Sequence, residues 1–358
     1  MSDVTNELVQ RLQRRHLAQL TPYASARRSM TGGSIWLNAN EAPYTPSASS
    51  ENLNRYPDFQ NPALLQGYAD YADVEANQVI ACRGSDEAID LLIRSFCEPG
   101  QDGILICPPT YGMYAISAQT HGAEVVQIPL VDTDAGALQL DEAAIIAALP
   151  GTKLIFLCNP SNPLGNELER AAIERILAAT REQCLVVVDE AYIEYIGAAS
   201  VIDLLANNPH LVILRTLSKA FGLAALRCGF ALANPAVIEV LRKVIAPYPL
   251  PQPVVDKAVR ALTEPALADM KILVQQSLVL REQLIDWLAR CDWVNYVYPS
   301  VTNFVLVQVD DAEQRVRQFQ QAGILVRNQS SQLGLNQVIR ISIGSATELA
   351  AVKEVLEA

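Results

Sequence analysis

The chain has 358 residues, 50% hydrophobic and 18% charged, which is enough apolar content for sizeable buried cores and too little charge bias for a disordered chain. At roughly 100–200 residues per domain, this length points to two units. With 27 Lys and Arg against 39 Asp and Glu, the net charge of −12 repels nucleic-acid backbones and anionic lipid surfaces, so any anionic ligand must be held by a few locally placed cations.

The start, MSDVTNELVQRLQRRH, is polar and lacks the apolar stretch of a signal peptide, and no later segment carries about 18 uninterrupted apolar residues. A cytoplasmic protein without a membrane or nucleic-acid partner is expected. A helix over 3–20 leads into the loop-rich LNANEAPYTPSASSENLNRYPDF, which has no core of its own and must dock elsewhere. From about 60 to 245, the β-rich runs QVIACRG, GILICPP, EVVQIPL, KLIFLCNP, CLVVVDE, LVILRT and GFALA alternate with SDEAIDLLIRSFCE, TYGMYAISAQTHG, LDEAAIIAALP and ELERAAIERILAATRE. The latter repeat apolar residues three and four apart, as helices covering a sheet do. This alternation predicts an α/β unit with a mainly parallel sheet, and runs such as LVVV and LVIL predict cover on both faces.

The proline-rich APYPLPQPVV (246–255) makes a natural boundary, because proline neither continues a helix nor donates to a sheet. A long helical stretch (254–290) then leads to TNFVLVQV, GILVRNQ and QVIRISIG, which predict a smaller α+β unit with an antiparallel sheet. The seven cysteines are odd in number, widely spread and mostly set in apolar runs, the pattern of reduced core thiols. His16, His121 and His210 lie far apart without partners at ligand spacing, so no metal site is expected.

Four segments carry chemistry. In Arg215-Thr-Leu-Ser-Lys219, a lysine just past a buried strand end sits where desolvation lowers an amine's pKa, and a neutral amine can form a Schiff base with a carbonyl cofactor. Thr216 and Ser218 add hydroxyls, and Arg227 adds a planar cation suited to phosphate. In Leu185-Val-Val-Val-Asp189-Glu190-Ala-Tyr192, a buried strand delivers a carboxylate where open α/β sheets bind ligands. There Asp189 could pair with a pyridinium nitrogen and Tyr192 could donate to a phenolate oxygen, although an aspartate capping the next helix reads equally well. Cys158-Asn-Pro-Ser-Asn162-Pro-Leu-Gly165 is either a rigid connection or a turn presenting the Asn162 amide to a ring substituent. Arg83-Gly84-Ser85-Asp86-Glu87, a glycine turn opening a helix, is either a phosphate site or an ordinary N-cap. No G-x-G-x-x-G fingerprint is present.

In order along the chain, these segments resemble the fold-type I pyridoxal-phosphate (PLP) aminotransferases, and within them the histidinol-phosphate aminotransferase family. The resemblance also rests on Leu20-Thr-Pro-Tyr23, Leu37-Asn-Ala-Asn40-Glu-Ala-Pro-Tyr44, Arg55-Tyr56-Pro-Asp58, the run Gly84–Gly100, Pro108-Pro-Thr-Tyr111-Gly, Leu217-Ser-Lys-Ala-Phe-Gly-Leu and Ile339-Arg340-Ile-Ser-Ile-Gly344. It implies a transaminase of PLP-dependent transferase fold type I: a large α/β/α domain (46–250), a small C-terminal α+β domain (251–358), and an N-terminal arm (1–45) belonging with the small one.

The resemblance implies that Lys219 is the Schiff-base lysine and proton shuttle, Asp189 the pyridine-nitrogen partner, Asn162 and Tyr192 the hydrogen-bonders of the ring oxygen, and Tyr111 the stacking aromatic. Gly84, Ser85, Asp86, Thr216, Ser218 and Arg227 would hold the cofactor phosphate. Tyr56 would cross a homodimer interface to the neighbouring cofactor. Tyr23, Asn40, Arg327 and Arg340 would bind substrate. The implied reaction converts L-histidinol phosphate and 2-oxoglutarate to imidazole-acetol phosphate and glutamate in histidine biosynthesis. Competing readings are an aromatic aminotransferase, a threonine-phosphate decarboxylase, or a non-enzymatic ligand-binding protein on the same fold. Leu164 and Ala225 depart from the family's usual threonine and glycine, and NEAP from its usual NENP.

Overall fold

A computed structural model describes residues 2–23, 35–46, 53–133, 137–197 and 200–357; part of the expected N-terminal loop, 47–52, lies outside the described residues. The large sheet has seven strands: β1 (Val79–Cys82), β2 (Gly103–Ile106), β3 (Glu124–Gln127), β6 (Thr152–Cys158), β7 (Leu185–Asp189), β8 (Leu211–Thr216) and β9 (Gly229–Ala233), in the order β1-β9-β8-β7-β6-β2-β3. The pairs from β3 through β8 are parallel, and β9 runs antiparallel to both its neighbours, so the sheet is mainly parallel as the alternating pattern predicts. β7 and β8 are buried along their whole length, which explains their unbroken apolar sequence. One core fills one side of the sheet with residues such as Val186, Val188 and Ile213, and a second fills the other with Val187, Val212 and Leu214, following the alternation of side chains along each strand. Between β3 and β6 a two-stranded ribbon, β4 (Val131–Asp132) with β5 (Leu138–Gln139), carries no periodic signal and was not expected.

A second, antiparallel sheet is ordered β10-β11-β13-β12, from β10 (Val294–Val297), β11 (Phe304–Val309), β12 (Arg327–Asn328) and β13 (Val338–Ser342). Its core combines Val305, Val307 and Ile339 with Leu284 and Leu288 of the helix Glu264–Leu288 and Leu349 of the helix Ala346–Glu357.

Four expectations need correction. The helix expected over 3–20 is Ser2–Leu12, followed by a 3-10 turn at Arg15–Leu17. Arg14 leaves the helical region at φ −56°, ψ 136°, and its guanidinium is drawn off to Glu98 and the Arg94 carbonyl. This N-terminal helix does not belong with the small unit: Leu8, Val9, Leu12 and Leu17 are buried in the large sheet's outer layer with Val237 and Leu241. The stretch 254–290 is two helices, Gln252–Ala261 and Glu264–Leu288, because Pro265 sits in a first turn, where its missing N–H costs nothing and a continuous helix could not pass. Val255 and Ala258 of the first helix still pack in the large core, so the change of core falls beyond the proline-rich segment.

Candidate active site

The C-terminal ends of β1, β6, β7 and β8 and the start of the antiparallel β9 meet at one edge of the large sheet, with Thr216 and Cys82 both opposite Gly229 and Cys158 opposite Asp189. A cleft of about 560 Å³, including its open mouth, lies there; ligands bind at this edge in open α/β sheets. Ten of the residues expected at the site line it: Ser85, Asp86, Tyr111, Asn162, Asp189, Tyr192, Thr216, Ser218, Lys219 and Arg227.

Lys219 stands in a closed loop after β8, where Leu217 N–H donates to the Cys228 carbonyl and Gly222 N–H to the Lys219 carbonyl. Thr216 Oγ1 donates to Ser218 Oγ at 2.9 Å and accepts from Ser218 N–H at 3.1 Å, so both hydroxyls are fixed beside the lysine. Burial lowers the Lys219 pKa and the Arg340 cation lowers it further, against the pull of Asp189 and Asp86. Its Nζ lies 5.3 Å from the centre of the Tyr192 ring, which is itself edge-on to Phe304.

Asp189 is 3% exposed, and burial pushes its carboxyl up to about 6. Tyr114 Oη donates to its Oδ2 at 2.8 Å and Ala191 N–H to its Oδ1 at 3.1 Å. The second bond is a local turn and not a helix cap, since the next helical turn, Ile193–Tyr195, starts after Tyr192 and takes no side-chain cap. Tyr114 was missed by the sequence reading: it falls three residues after Tyr111 in a helix whose pattern marks it only as core.

At the third corner, the helix Ser85–Phe96 opens after Gly84, which adopts φ +77° and supplies no side-chain cap. Ser85 and Asp86 are its first helical residues and not its N-cap, so its first-turn N–H groups and positive dipole end face the cleft without a capping side chain. Gly229 matters equally, since a Cβ there would lie 2.5 Å from Ser85 N. Arg227, in the left-handed region at φ 52°, donates to Asp86 Oδ2 at 3.1 Å, and Tyr111 Oη donates to Asp86 Oδ1 at 2.9 Å.

Arg340 reaches across from β13. Its Nη1 donates to Asn162 Oδ1, its guanidinium lies over the Phe304 ring at 5.1 Å, and its Nε is buried without a partner. Arg340 pairs with no carboxylate among the described residues, and Arg327 on β12 is directly opposite it in register. The two arginines thus stand side by side on the small sheet, and Arg340 reaches the cleft through Asn162.

Not every expected residue is brought there. Tyr56 is half-exposed and stacks on Tyr248 at 4.4 Å; with Asn40 it lines a separate cavity beside Pro251. Tyr23 is exposed and lines neither cavity. Arg327 is exposed and lies outside the cleft lining. Leu164 is buried in the large core and lines a different cavity, with Tyr298, so the departure from threonine changes packing away from Lys219. All seven cysteines are free, and all but Cys291 are buried. Among the described residues no cluster of His, Cys, Asp and Glu could hold a metal ion, and no helix is long and apolar enough to cross a membrane.

A family model described as aminotransferase class I and II matches residues 29–358. The histidinol-phosphate aminotransferase 2 of Idiomarina loihiensis is 53% identical over 344 residues, covering 95% of this chain and 96% of its own. The histidinol-phosphate aminotransferase of Sodalis glossinidius is 48% identical over 352 residues, covering 98% and 97%. Among solved structures, the histidinol-phosphate aminotransferase of Sinorhizobium meliloti in complex with pyridoxal-5′-phosphate superposes with a TM-score of 0.76 at 25% identity, over 85% of this chain and 83% of that one. The cleft at the strand ends and near full-length similarity together show that this chain belongs to the histidinol-phosphate aminotransferase family, within the class I and II aminotransferases.

Proposed function

We propose that this cleft transfers the amino group of L-histidinol phosphate to 2-oxoglutarate, giving imidazole-acetol phosphate and glutamate, with pyridoxal phosphate as cofactor. The observation that carries this reading is the convergence, in one cleft, of a depressed-pKa lysine, a buried carboxylate and an uncapped helix N-terminus with its arginine, with a second arginine from the small sheet bonded to the cleft's Asn162.

The donor set fits the cofactor. Lys219 offers an amine to its aldehyde, Asp189 a carboxylate to its pyridine nitrogen, and Asn162 and Tyr192 polar groups to its ring oxygen. For its phosphate there are the first-turn N–H groups after Gly84, the Thr216 and Ser218 hydroxyls, and Arg227. When bound, the cofactor acts as an electron sink for the bonds at the substrate's amino-bearing carbon. The chain's own groups do the rest. Asp189 would hold a proton on the ring nitrogen by charge pairing, Tyr111 would cover the ring, and Lys219 Nζ would carry the proton that leaves the substrate's amino-bearing carbon. Arg340, with Arg327 beside it, receives the substrate's anionic end.

The quaternary part of the reading is a homodimer in which Tyr56 serves the neighbouring cofactor. It is supported by the position of Tyr56, half-exposed and outside the cleft of its own chain. The units serving this chemistry are a large cofactor-binding domain and a small domain whose strands bring Arg327 and Arg340. On this reading the enzyme works in the cytoplasm on soluble anionic substrates, and its charge of −12 sets it apart from proteins that bind nucleic acid or anionic membranes.

Lys219→Ala abolishes turnover while the circular dichroism spectrum stays native; a variant with near-normal kcat overturns the assignment. Assays with histidinol phosphate, phenylalanine and threonine phosphate, following oxo-acid formation and CO₂ release, distinguish this activity from aromatic transamination and decarboxylation. Mixing Tyr56→Phe chains with Lys219→Ala chains tests the shared tyrosine, because a mixed dimer then contains one intact site and regains activity.

A further inference from the structure

The carboxylate that faces the cofactor's ring nitrogen is itself held from behind. Tyr114 is fully buried in the helix Met113–His121, with its ring stacked on Phe156 at 4.8 Å and Tyr111 edge-on to it at 5.6 Å. That packing holds its hydroxyl at the ends of β6 and β7, beside the Cys158 thiol, where it donates to Asp189 Oδ2 at 2.8 Å. Asp189 Oδ1 takes the Ala191 N–H at 3.1 Å, so each carboxylate oxygen has one donor from the protein and the group is locked in a single orientation.

We propose that Tyr114 is a positioning residue for transamination, fixing the Asp189 carboxylate against the cofactor's pyridine nitrogen through its buried hydroxyl. The inference rests on the cofactor assignment above. Its electrostatic sense agrees with the geometry: burial raises the Asp189 pKa, and the Tyr114 hydroxyl is the largest influence lowering it, so the hydroxyl keeps the carboxylate charged where charge is needed. Hydrogen bonds to charged groups are among the stronger ones, and an aromatic ring stacked on a neighbouring ring gives this donor little freedom to turn away. Cys158, level with Asp189 on β6, lies in the same pocket; burial pushes its thiol up to about 12 and leaves it a neutral neighbour.

Tyr114→Phe keeps the ring and its stacking and removes only the hydroxyl, so it is the test. The apoprotein is titrated with pyridoxal phosphate across pH 5.5–8.5, followed by visible absorbance, alongside the wild type. The variant should bind roughly tenfold or more weakly near neutral pH, the worth of one hydrogen bond to a charged group. The acid limb of its binding profile should move to higher pH, because Asp189 now takes up a proton more readily. kcat should fall with the KM for the amino donor nearly unchanged. A variant with wild-type affinity and an unshifted acid limb overturns the proposal. A wild type that binds no pyridoxal phosphate overturns the cofactor assignment itself, which separates the two failures. Should the phenylalanine variant not fold, 3,5-difluorotyrosine at position 114 keeps the shape and changes only the hydroxyl's acidity. The binding profile must then shift, and an unchanged profile refutes the role.

Discussion

At Arg340 a single side chain touches both ends of the chemistry. Its guanidinium holds Asn162, lies over Phe304, and lowers the Lys219 pKa by like charge. Its own pKa is lowered by burial, the cost of placing a half-buried cation that no carboxylate among the described residues neutralises. A substrate anion removes that penalty on binding. Arg340→Gln is therefore expected to raise the KM for histidinol phosphate by roughly tenfold to a hundredfold, the range for one charge-assisted contact. The same change removes a cation near Lys219, so the pH at which pyridoxal phosphate is captured moves upward. Arg340→Lys should recover part of the shift and little of the KM, because an ammonium restores the charge but not the planar fork. Steady-state kinetics and a pH series of cofactor binding check both, and an unchanged KM in the glutamine variant removes Arg340 from substrate binding.

At the scale of elements, the site is built by close approach of turns to strand ends, and the glycine at position 229 makes one of these approaches possible. A Cβ on Gly229 would lie 2.5 Å from Ser85 N and 2.6 Å from the Gly84 carbonyl carbon, both backbone atoms that cannot step aside. Gly229→Ala should thus push the helix start away from β9. It should cost about 1–3 kcal/mol in denaturant unfolding and weaken pyridoxal phosphate binding more than its distance from the ring suggests. Retention of both stability and affinity would show that the helix start can shift freely.

Much of this architecture is legible in sequence for a physical reason. Strands covered on both faces must be apolar throughout, so LVVVD and LVILRT announce themselves, and the residues just past them fall at the cleft by topology alone. What stayed hidden depends on tertiary packing. The two-residue strands of the ribbon are too short to carry a period. The end of the first helix is set by Arg14 reaching to Glu98, 84 positions away. Pro265 was visible, but a proline in a first turn reads equally well as a kink in one long helix. Tyr114 reads as core because core packing is what aims its hydroxyl. Tyr56 and Tyr23, identified by resemblance, do not reach the cleft of their own chain.

For the whole molecule, the cleft's floor depends on a buried ionic cluster behind it. Arg215, next to Thr216, donates through Nε and Nη2 to Glu190, next to Asp189, with exposures of 7% and 0%, and Ser200 completes the carboxylate's shell. This pair ties the ends of β7 and β8 together, so cofactor contacts on both strands share one support. Arg215→Met leaves Glu190 without its counter-cation, with only the Ser200 hydroxyl and Val201 N–H as donors, and should destabilise the fold by about 3–5 kcal/mol in denaturant unfolding. Adding Glu190→Gln should return part of that loss, and additive losses would mean the two side chains do not act as a pair.

The same interior gives stability a pH dependence whose two contributions have opposite sign. Glu194 is half-buried as a residue but encloses its carboxylate end: it accepts from Tyr71 Oη at 3.3 Å and its Oε2 is buried without a partner, and this burial raises its carboxyl from 4.5 to about 7. Between those values the folded chain holds a proton that the unfolded chain releases, so this group makes stability fall as pH rises from about 4.5 to about 7. His210 does the reverse. Buried with Nε2 against the Leu177 carbonyl and Nδ1 without a partner, it is lowered from 6.5 to about 4, so between those values only the unfolded chain takes up the proton and stability rises with pH. In the holoenzyme, where charge pairing with the cofactor nitrogen would take Asp189 out of this range, the two windows overlap and largely cancel near pH 5–6. Glu194→Gln should unmask the histidine, giving a steeper rise in the unfolding midpoint from pH 4.5 to 6.5 and a more stable protein than wild type above pH 7. His210→Gln should unmask the glutamate, turning the same range into a decline. Urea midpoints of the holoenzyme at half-unit pH steps read both slopes, and variants whose profiles parallel the wild type would show that neither group titrates with folding.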